Sequence, residues 1–422
     1  MNPSSFSLRA ACWLSFGSAV AILFSIAVSQ ILLALAVAAL LISDEKLRLP
    51  PIKLPLALFI VGTLISWALS GEMQAGLPQI RKFFVFLELL VVYSTLRDLT
   101  VIRRLFLVSA GFASVAAVRG FAQFAARVHQ AHLLGQNFYQ FYVAQRITGF
   151  MSHWMTYSGE EMFVLIMLAA FLLFAPSSRN WLYVWLLCAA LMAAALLLSE
   201  TRSIWAASAV AGLYLIWFWR RWMIALVPVA IVLVFLVSPE SIRERFASLV
   251  QPKGEIDSNQ HRIVTWRTGL RMIEEHPWFG VGPEGVKLHF DEYVPADVPR
   301  PLPAGWYGHL HDIYLQYAAE RGVPTMLLMM WMLVQILYDF WRGLRIAPPG
   351  RSNQKFLLHG GIAVVLATMV EGLAEYNLGD SEVLTMFLVV VACGYLACDS
   401  LRWKDRESTI ALPNSILETG GS

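Results

Sequence analysis

Charged residues are scarce in this chain. Only 14% of its 422 residues are Asp, Glu, Lys or Arg, and 58% are hydrophobic, whereas a typical soluble domain is about 25% charged. So few charges cannot cover a water-facing surface of this size. The composition therefore predicts an all-α, polytopic membrane protein in which residues 1–422 form a single membrane-embedded domain.

Other absences narrow the function. The sequence has no P-loop, no glycine-rich dinucleotide motif and no internal repeat, so no nucleotide site is predicted. The formal net charge of +3 is too small to indicate a nucleic-acid partner. The four cysteines lie in apolar runs without metal-type spacing. We therefore expect no cofactor, no metal site and no nucleic acid.

Long apolar runs predict about 12 transmembrane helices. The predicted spans are 11–26, 29–43, 54–70, 83–96, 104–122, 160–175, 181–199, 202–218, 223–238, 323–341, 356–375 and 383–400. Two segments between spans are long, 123–159 and 239–322, and loops beyond about 15 residues usually carry function. The second is a mostly helical insert between the ninth and tenth spans.

Lysine and arginine are distributed unevenly between the loops. Every loop on the side of the N-terminus carries basic residues, whereas the outer loops 71–79 and 376–380 have none. Because basic residues are retained in the cytoplasm, both termini are predicted to be cytoplasmic and the 239–322 insert to lie on the opposite side.

The insert has a periodic pattern of its own. Residues 260–275 predict an amphipathic helix with Ile263, Trp266, Leu270 and Ile273 at three-to-four spacing. This helix is predicted to end at His276-Pro277, and the proline-rich residues 295–303 are predicted to be extended.

Basic residues at the outer membrane boundary need an explanation, because a charge at that depth is costly unless it is paired or functional. Each could be explained by a salt bridge, by head-group anchoring or by a solvated helix face. Guanidinium groups also bind phosphate bidentately and stay charged. Several of them near one site would suit a pyrophosphate. These residues are Arg81, Lys82, Arg146, Arg202 and Arg262.

Two histidines, His309 and His311, precede the tenth span. Histidine can accept a proton near neutral pH, and zinc is the weaker alternative because no third ligand has a clear spacing. Asp312 could orient a histidine or cap the following helix. The acidic residues Glu371, Glu375, Asp380 and Glu382 could pair with the outer arginines or be plain interfacial residues.

Three motifs follow one another along the chain. Thr201-Arg202-Ser203 stands at a helix start, and Arg262 is followed by Trp266, Pro277 and Gly280-Val281-Gly282. His311 then precedes a segment that ends in Glu320-Arg321-Gly322. In order and spacing these motifs resemble the O-antigen ligase/polymerase superfamily of bacterial membrane proteins. This chain has Asp312 where that family often has Asn.

The resemblance implies glycan transfer from undecaprenyl pyrophosphate, at the periplasmic face of the inner membrane. The single large outer loop looks like that of an O-antigen ligase, which joins O-antigen to a lipid A–core sugar. The partners implied are undecaprenyl-pyrophosphate-linked O-antigen, lipid A–core oligosaccharide and membrane lipids.

The resemblance also suggests roles for the residues. Arg202 and Arg262 would bind the diphosphate, with Arg146, Arg81 and Lys82 as weaker contacts and His309, Asp312 and Trp266 in support. His311 would act as the general base or contact a phosphate. Transfer would invert the anomeric centre and need no metal ion.

Two alternatives stay open. An O-antigen polymerase of the same superfamily would use another lipid-linked repeat as acceptor. A flippase or transporter of lipid-linked glycans would need ionisable residues in the middle of its spans. Transporters of this kind are also often built from inverted repeats. The predicted spans are nearly free of charge at their centres, which disfavours transport.

Overall fold

The computed structural model describes residues 3–176, 178–247 and 259–410, and in these residues the chain forms helices and no strand. The α-helices are α1 (Pro3–Ala21), α2 (Ile26–Ile42), α3 (Lys53–Leu69), α4 (Met73–Arg81), α5 (Phe86–Thr95), α6 (Leu99–Leu133), α7 (Phe138–Ala144), α8 (Trp154–Phe174), α9 (Arg179–Leu198), α10 (Arg202–Arg220), α11 (Val227–Val237), α12 (Glu240–Ala247), α13 (Asn259–Glu275), α14 (Gly285–Tyr293), α15 (Ile313–Arg321), α16 (Val323–Ile346), α17 (Asn353–Glu371) and α18 (Ser381–Ile410). The all-α prediction is confirmed for the described part of the chain.

Six helical segments of the described chain are long and apolar enough to cross a membrane. They are Leu99–Leu133, Trp154–Phe174, Arg179–Leu198, Arg202–Val237, Val323–Ile346 and Ser381–Arg402. Helices α2 and α3 are apolar but have only 17 residues each, and α5 has ten, against the ~20 that a perpendicular span needs. The predicted number of twelve spans is therefore not confirmed.

The helical run 202–237 turns back on itself. At Arg220 the backbone leaves the helical region, with φ −153° and ψ 85°. Phe246, which follows α11, stacks on Trp205 in the first turn of α10 at 4.6 Å between ring centroids, and Phe235 lies 6.4 Å from Phe246. The end of α11 therefore returns to the start of α10, and the two helices run antiparallel.

Helix α6 is longer than the sequence predicted. The predicted span 104–122 was followed by a long outer segment, but α6 continues without a break to Leu133, a length of ~52 Å at the rise of an α-helix. No proline interrupts residues 104–133, and alanine, arginine and glutamine in the last turns favour helix. The first part of the predicted 123–159 segment is thus helical.

The core of the bundle is formed by α8, α17 and α18, whose residues are mostly buried. A polar contact joins α1, α2 and α5, since the buried Ser18 donates a hydrogen bond to Glu88 Oε2 at 2.9 Å and Ser18 also pairs with Ser29. Hydrogen bonds of this kind join apolar helices that have little hydrophobic reason to associate in lipid.

In the insert, α13 agrees closely with the helix predicted over 260–275, but a different face is buried. Ile263 and Leu270 are 55% and 48% exposed, whereas His261, Val264, Thr265, Thr268 and Met272 are buried. The threonines can be buried because their hydroxyls bond to backbone carbonyls, as Thr268 does to Val264 O at 2.8 Å.

A glycine turn attaches the insert to α15. Val281 N donates to Ala319 O at 2.8 Å, and Gly282 N donates to Glu320 O at 2.9 Å. Gly280 and Gly282 both have positive φ, and a Cβ on Gly280 would lie 2.3 Å from the carbonyl carbon of Glu320. The Gly-Val-Gly sequence is therefore required by conformation and by close approach. It fixes the insert over the end of the bundle.

Candidate active site

A cavity of about 650 Å³ lies between the insert and the adjoining end of the bundle. Five of the residues predicted to bind the diphosphate or take part in catalysis line it: Arg146, Arg202, Arg262, His309 and His311. Other lining residues include Ser152, His153, Trp154, Thr156, Arg245, His261, Trp306, Glu375, Tyr376, Asn377, Asp380 and Glu382. Residues far apart in sequence are thus brought to one place.

Glu375 joins two of the predicted residues. Its Oε1 accepts a short charged hydrogen bond from Arg262 Nη2, and its Oε2 lies 3.3 Å from His311 Nδ1. The Glu375 side chain is only 1% exposed. Burial by itself would raise the pKa of Glu375, but Arg262 and His311 outweigh burial and hold that pKa below its ordinary value. The carboxylate is therefore charged at neutral pH, as a buried ion pair requires.

The segments that carry these residues are held together by hydrogen bonds to backbone carbonyls. Ile313 N donates to Gly372 O at 2.8 Å, which ties the loop before α15 to the end of α17. Thr265 Oγ1 donates to Leu310 O at 3.2 Å, which ties α13 to the same loop. His311 has φ +52°, a left-handed conformation that is uncommon for residues other than glycine. Strain of this kind persists only where the surroundings impose it, and it clusters at functional sites.

The orientation of His311 leaves one ring nitrogen without a hydrogen bond among the described residues. Since Nδ1 faces Glu375, the carboxylate favours the tautomer with the proton on Nδ1. Nε2 is buried and has no hydrogen-bond partner among the described residues. An unprotonated Nε2 in that position is able to accept a proton from a bound hydroxyl.

The neighbouring histidines are neutral. Burial, followed by the proximity of His311, lowers the pKa of His309 to about 3 and that of His261 to about 4. The rings of His309 and His311 lie 4.1 Å apart, and His261 lies 5.1 Å from His311. Neutral imidazoles surround His311 and add no positive charge to it.

Arg202 stands at the start of α10. It is nearly buried, at 9% exposure, and its Nη2 donates to Asn259 Oδ1 at 2.8 Å at the start of α13. The preceding Glu200 is fully buried and has φ +49°, a second left-handed residue beside the cavity. The hydrogen bond to Asn259 holds Arg202 close to the helix that carries Arg262.

Arg245 is a lining residue that the sequence did not single out. It lies on α12, its Nε donates to Glu200 O at 3.1 Å, and its Nη1 lies 3.4 Å from Tyr139 Oη. Arg146 lies nearby, with its guanidinium 5.2 Å from the centre of the Trp154 ring. Burial and then Arg245 lower the pKa of Arg146 to about 9, so it remains charged at neutral pH. Nothing in the sequence distinguishes Arg245 from the other arginines of the insert.

Four residues of the predicted site do not line the cavity. Lys82 Nζ donates to Gly379 O at 2.8 Å, behind the loop that carries Glu375, and Arg81 is exposed. Asp312 caps α15, accepting from Tyr314 N and Leu315 N at 2.8 Å each. Trp266 is half-buried outside the cavity, and its Nε1 has no partner among the described residues.

The chemistry of this cavity is that of an anion site beside a base. Arg146, Arg202, Arg245 and Arg262 are all in its wall, and guanidinium groups match phosphate oxygens. In the described residues no group of three or more His, Cys, Asp or Glu is arranged to hold a metal ion. The arrangement can bind a diphosphate and remove a proton next to it.

One part of the chain is similar to a known protein family. Residues 187–330 match the family model described as O-Antigen ligase, a segment that includes Arg202, Arg262 and His311 but not Arg146 or Glu375. No curated protein matched the chain. Over residues 187–330 the chain is therefore similar to the O-antigen ligase family, which confirms the resemblance indicated by its motifs.

Proposed function

We propose that this protein is an O-antigen ligase of the bacterial inner membrane. It transfers a glycan from undecaprenyl pyrophosphate to a sugar hydroxyl of lipid A–core at the periplasmic face. The observation that carries the proposal is the presence of Arg202, Arg262 and His311, from three separate segments, in the wall of one cavity. Arginines and a base are what this transfer requires.

The reaction exchanges one bond at the anomeric carbon for another. The acceptor oxygen forms a bond to that carbon while the bond from carbon to the diphosphate oxygen breaks, and direct displacement inverts the centre. His311 Nε2 takes the hydroxyl proton, and Glu375 stabilises the resulting imidazolium. A positioned base contributes roughly 10²–10⁴-fold to the rate.

The guanidinium groups stabilise the negative charge that develops on the leaving diphosphate. Arg262 keeps Nη2 on Glu375, while its side chain is 17% exposed and lines the cavity. Arg262 therefore has donors left for a phosphate oxygen. Preorganised cations aimed at developing charge are usually the largest catalytic contribution. Since arginine supplies this charge, we expect transfer to continue in the presence of EDTA.

The decisive experiment is transfer by purified protein with a lipid-linked glycan donor and lipid A–core. Arg202→Ala, Arg262→Ala and His311→Ala should each lose about 100-fold or more of the wild-type rate. Arg262→Lys should also be impaired, because an ammonium group cannot reproduce the guanidinium fork.

Arg267→Ala is the matched control. Arg267 lies on the same helix as Arg262, but it is exposed, pairs with Asp297 and does not line the cavity, so its variant should keep the wild-type rate. Near-normal transfer by both Arg262→Ala and His311→Ala would show that the site has been assigned wrongly.

The product separates the ligase from the polymerase. A ligase adds glycan once to lipid A–core, whereas a polymerase makes longer chains on the lipid carrier. In cells, deletion of a ligase should abolish smooth lipopolysaccharide and leave carrier-linked polymer to accumulate. Shorter carrier-linked chains after deletion would favour the polymerase.

A further inference from the structure

We propose that Trp306 is a stacking platform for a pyranose ring at the mouth of the cavity. The proposal rests on the glycosyl transfer proposed above and adds a residue that selects a sugar. Trp306 lines the cavity, yet it is 58% exposed.

The loop around Trp306 is packed tightly. Tyr307 Oη donates to Pro303 O at 2.6 Å, which closes the loop. Gly305 lies against His261, so closely that a Cβ on Gly305 would stand 2.2 Å from His261 Cδ2. The loop is therefore anchored to α13 at the site, and Trp306 follows the anchor directly.

The indole itself is held by its neighbours. It folds back over Gly308, where an added Cβ would stand 2.0 Å from indole Cζ2. The ring of His309 meets the indole nearly at a right angle, 83°, with 4.7 Å between the centroids. One side of the indole is thus supported by the loop, while more than half of the side chain remains accessible.

The exposed indole surface suits a sugar ring. An exposed aromatic side chain does not contribute the stabilisation of the folded protein that its burial would give, and a bound sugar ring would cover it. One face of a pyranose presents C–H bonds, whose partial positive charge suits the negative face of an indole. Its hydroxyls need polar partners, and Ser152, Asn377 and Asp380 line the same cavity.

The position of Trp306 relative to the base supports the same occupant. Two successive ring contacts, at 4.7 Å and 4.1 Å, lead from Trp306 through His309 to His311. A ring stacked on Trp306 therefore lies in the same cavity as His311. Both the first sugar of the donor and the terminal sugar of the acceptor must come to this place, and either could supply the ring.

Trp278 provides a matched control. It belongs to the same insert and is even more exposed, at 70%, but it does not line the cavity. An exposed tryptophan that only anchors the insert at the membrane interface would behave alike at the two positions. A sugar platform predicts an effect at Trp306 alone.

The test is steady-state kinetics of purified full-length Trp306→Ala, Trp306→Phe and Trp278→Ala, varying the lipid-linked donor and lipid A–core separately. Trp306→Ala should raise one KM about 5- to 10-fold, the size expected for the loss of an aromatic stacking contact. Trp306→Phe should recover part of the loss, and Trp278→Ala should match the wild type. A higher KM for donor assigns the donor sugar, and a higher KM for acceptor assigns the acceptor sugar.

Gly308→Ala tests the same inference without removing the indole. The added methyl group would displace the indole, so this variant should raise the same KM as Trp306→Ala. Unchanged KM values for both substrates in Trp306→Ala, or a loss in which Phe is no better than Ala, would overturn the inference. In that case inactive Arg262→Ala and His311→Ala would leave the proposed function standing, whereas active ones would remove it as well.

Discussion

At the scale of single residues, Glu375 is the point at which the charges of the site meet. It contacts both Arg262 and His311 and is almost fully buried. A buried carboxylate with two such partners costs desolvation energy that the two contacts must offset. We infer that Glu375 is a positioning residue, which sets the tautomer of His311 and holds Arg262 in place.

Glu375→Gln should therefore reduce kcat/KM by about 10- to 100-fold, the range typical when a supporting hydrogen-bond partner is removed. Glu375→Asp keeps the charge and should recover part of the activity. Transfer assays on purified protein would measure both. The control is Glu275→Gln, since Glu275 lies on the surface of the insert, where it pairs with Arg271. Equal activities for the Gln variant and the wild type would contradict the positioning role.

The half-buried His309 predicts a pH dependence of stability. An unfolded histidine binds its proton as the pH falls below about 6.5, but His309 stays neutral down to a pKa of about 3. Between these values the unfolded state binds more protons, so the folded state loses stability as the pH falls. At pH 5 this group accounts for on the order of 2 kcal/mol.

His309→Gln should therefore lose less stability than the wild type between pH 7 and pH 5. The measurement is the thermal denaturation midpoint of the detergent-solubilised protein at the two pH values. His129→Gln, at an exposed position on α6, should follow the wild type. If His309→Gln falls as steeply as the wild type, the acid sensitivity has another source.

At the scale of elements, the hydrogen bonds at the start of α15 indicate which of two roles Asp312 has. Its carboxylate accepts hydrogen bonds from the backbone of Tyr314 and Leu315, and Asp312 does not line the cavity. This geometry favours capping, one of the two roles that the sequence left open. Asn caps a helix as well as Asp does, so the two roles predict different results for Asp312→Asn.

We expect Asp312→Asn to keep both stability and transfer activity. Asp312→Ala should cost about 1 kcal/mol of stability, seen as a lower denaturation midpoint, with a modest loss of activity. A folded but inactive Asp312→Asn protein would show instead that the carboxylate is needed for the reaction.

The glycine turn is the second element that positions the site. Gly280→Ala combines a left-handed backbone with a clash against the backbone of α15, and it should cost at least about 3 kcal/mol. Gly135 offers a matched control, because its φ of +63° is almost the same as the +66° of Gly280 while its Cβ would meet nothing within 4 Å. Gly135→Ala should cost only about 1–2 kcal/mol. Similar denaturation midpoints for the two variants would show that the packing of the turn against α15 is unimportant.

At the scale of the whole molecule, the distribution of basic residues predicts which loops lie on each side of the membrane. The basic loops predict that Arg351 is cytoplasmic and that Lys287, in the insert, is periplasmic. In a background without the four native cysteines, a membrane-impermeant maleimide should label Lys287→Cys on intact spheroplasts. It should label Arg351→Cys only after permeabilisation. Both positions are exposed, so the reverse pattern would invert the proposed topology.

The whole molecule also shows which structural features the local sequence pattern predicts and which it does not. The apolar runs predicted most helices, because the repeat of apolar side chains is a property of neighbouring residues. The pattern did not predict which face of α13 is buried, nor the continuation of α6 to Leu133. Which face of α13 is buried depends on neighbours such as Leu310 and α15, which are distant in sequence. It also depends on threonines whose hydroxyls form hydrogen bonds to backbone carbonyls.

The sequence by itself determined the membrane class, the helical composition and the order of motifs that resembles the O-antigen ligase family, since these depend on residue types and short spacings. Only the tertiary structure decided that Glu375 joins Arg262 to His311, that Arg245 enters the cavity wall and that Arg81 and Lys82 stay out of it. Such placements depend on contacts between segments that are far apart in the sequence. No local pattern encodes them, because each side chain finds its partner only after the helices have packed.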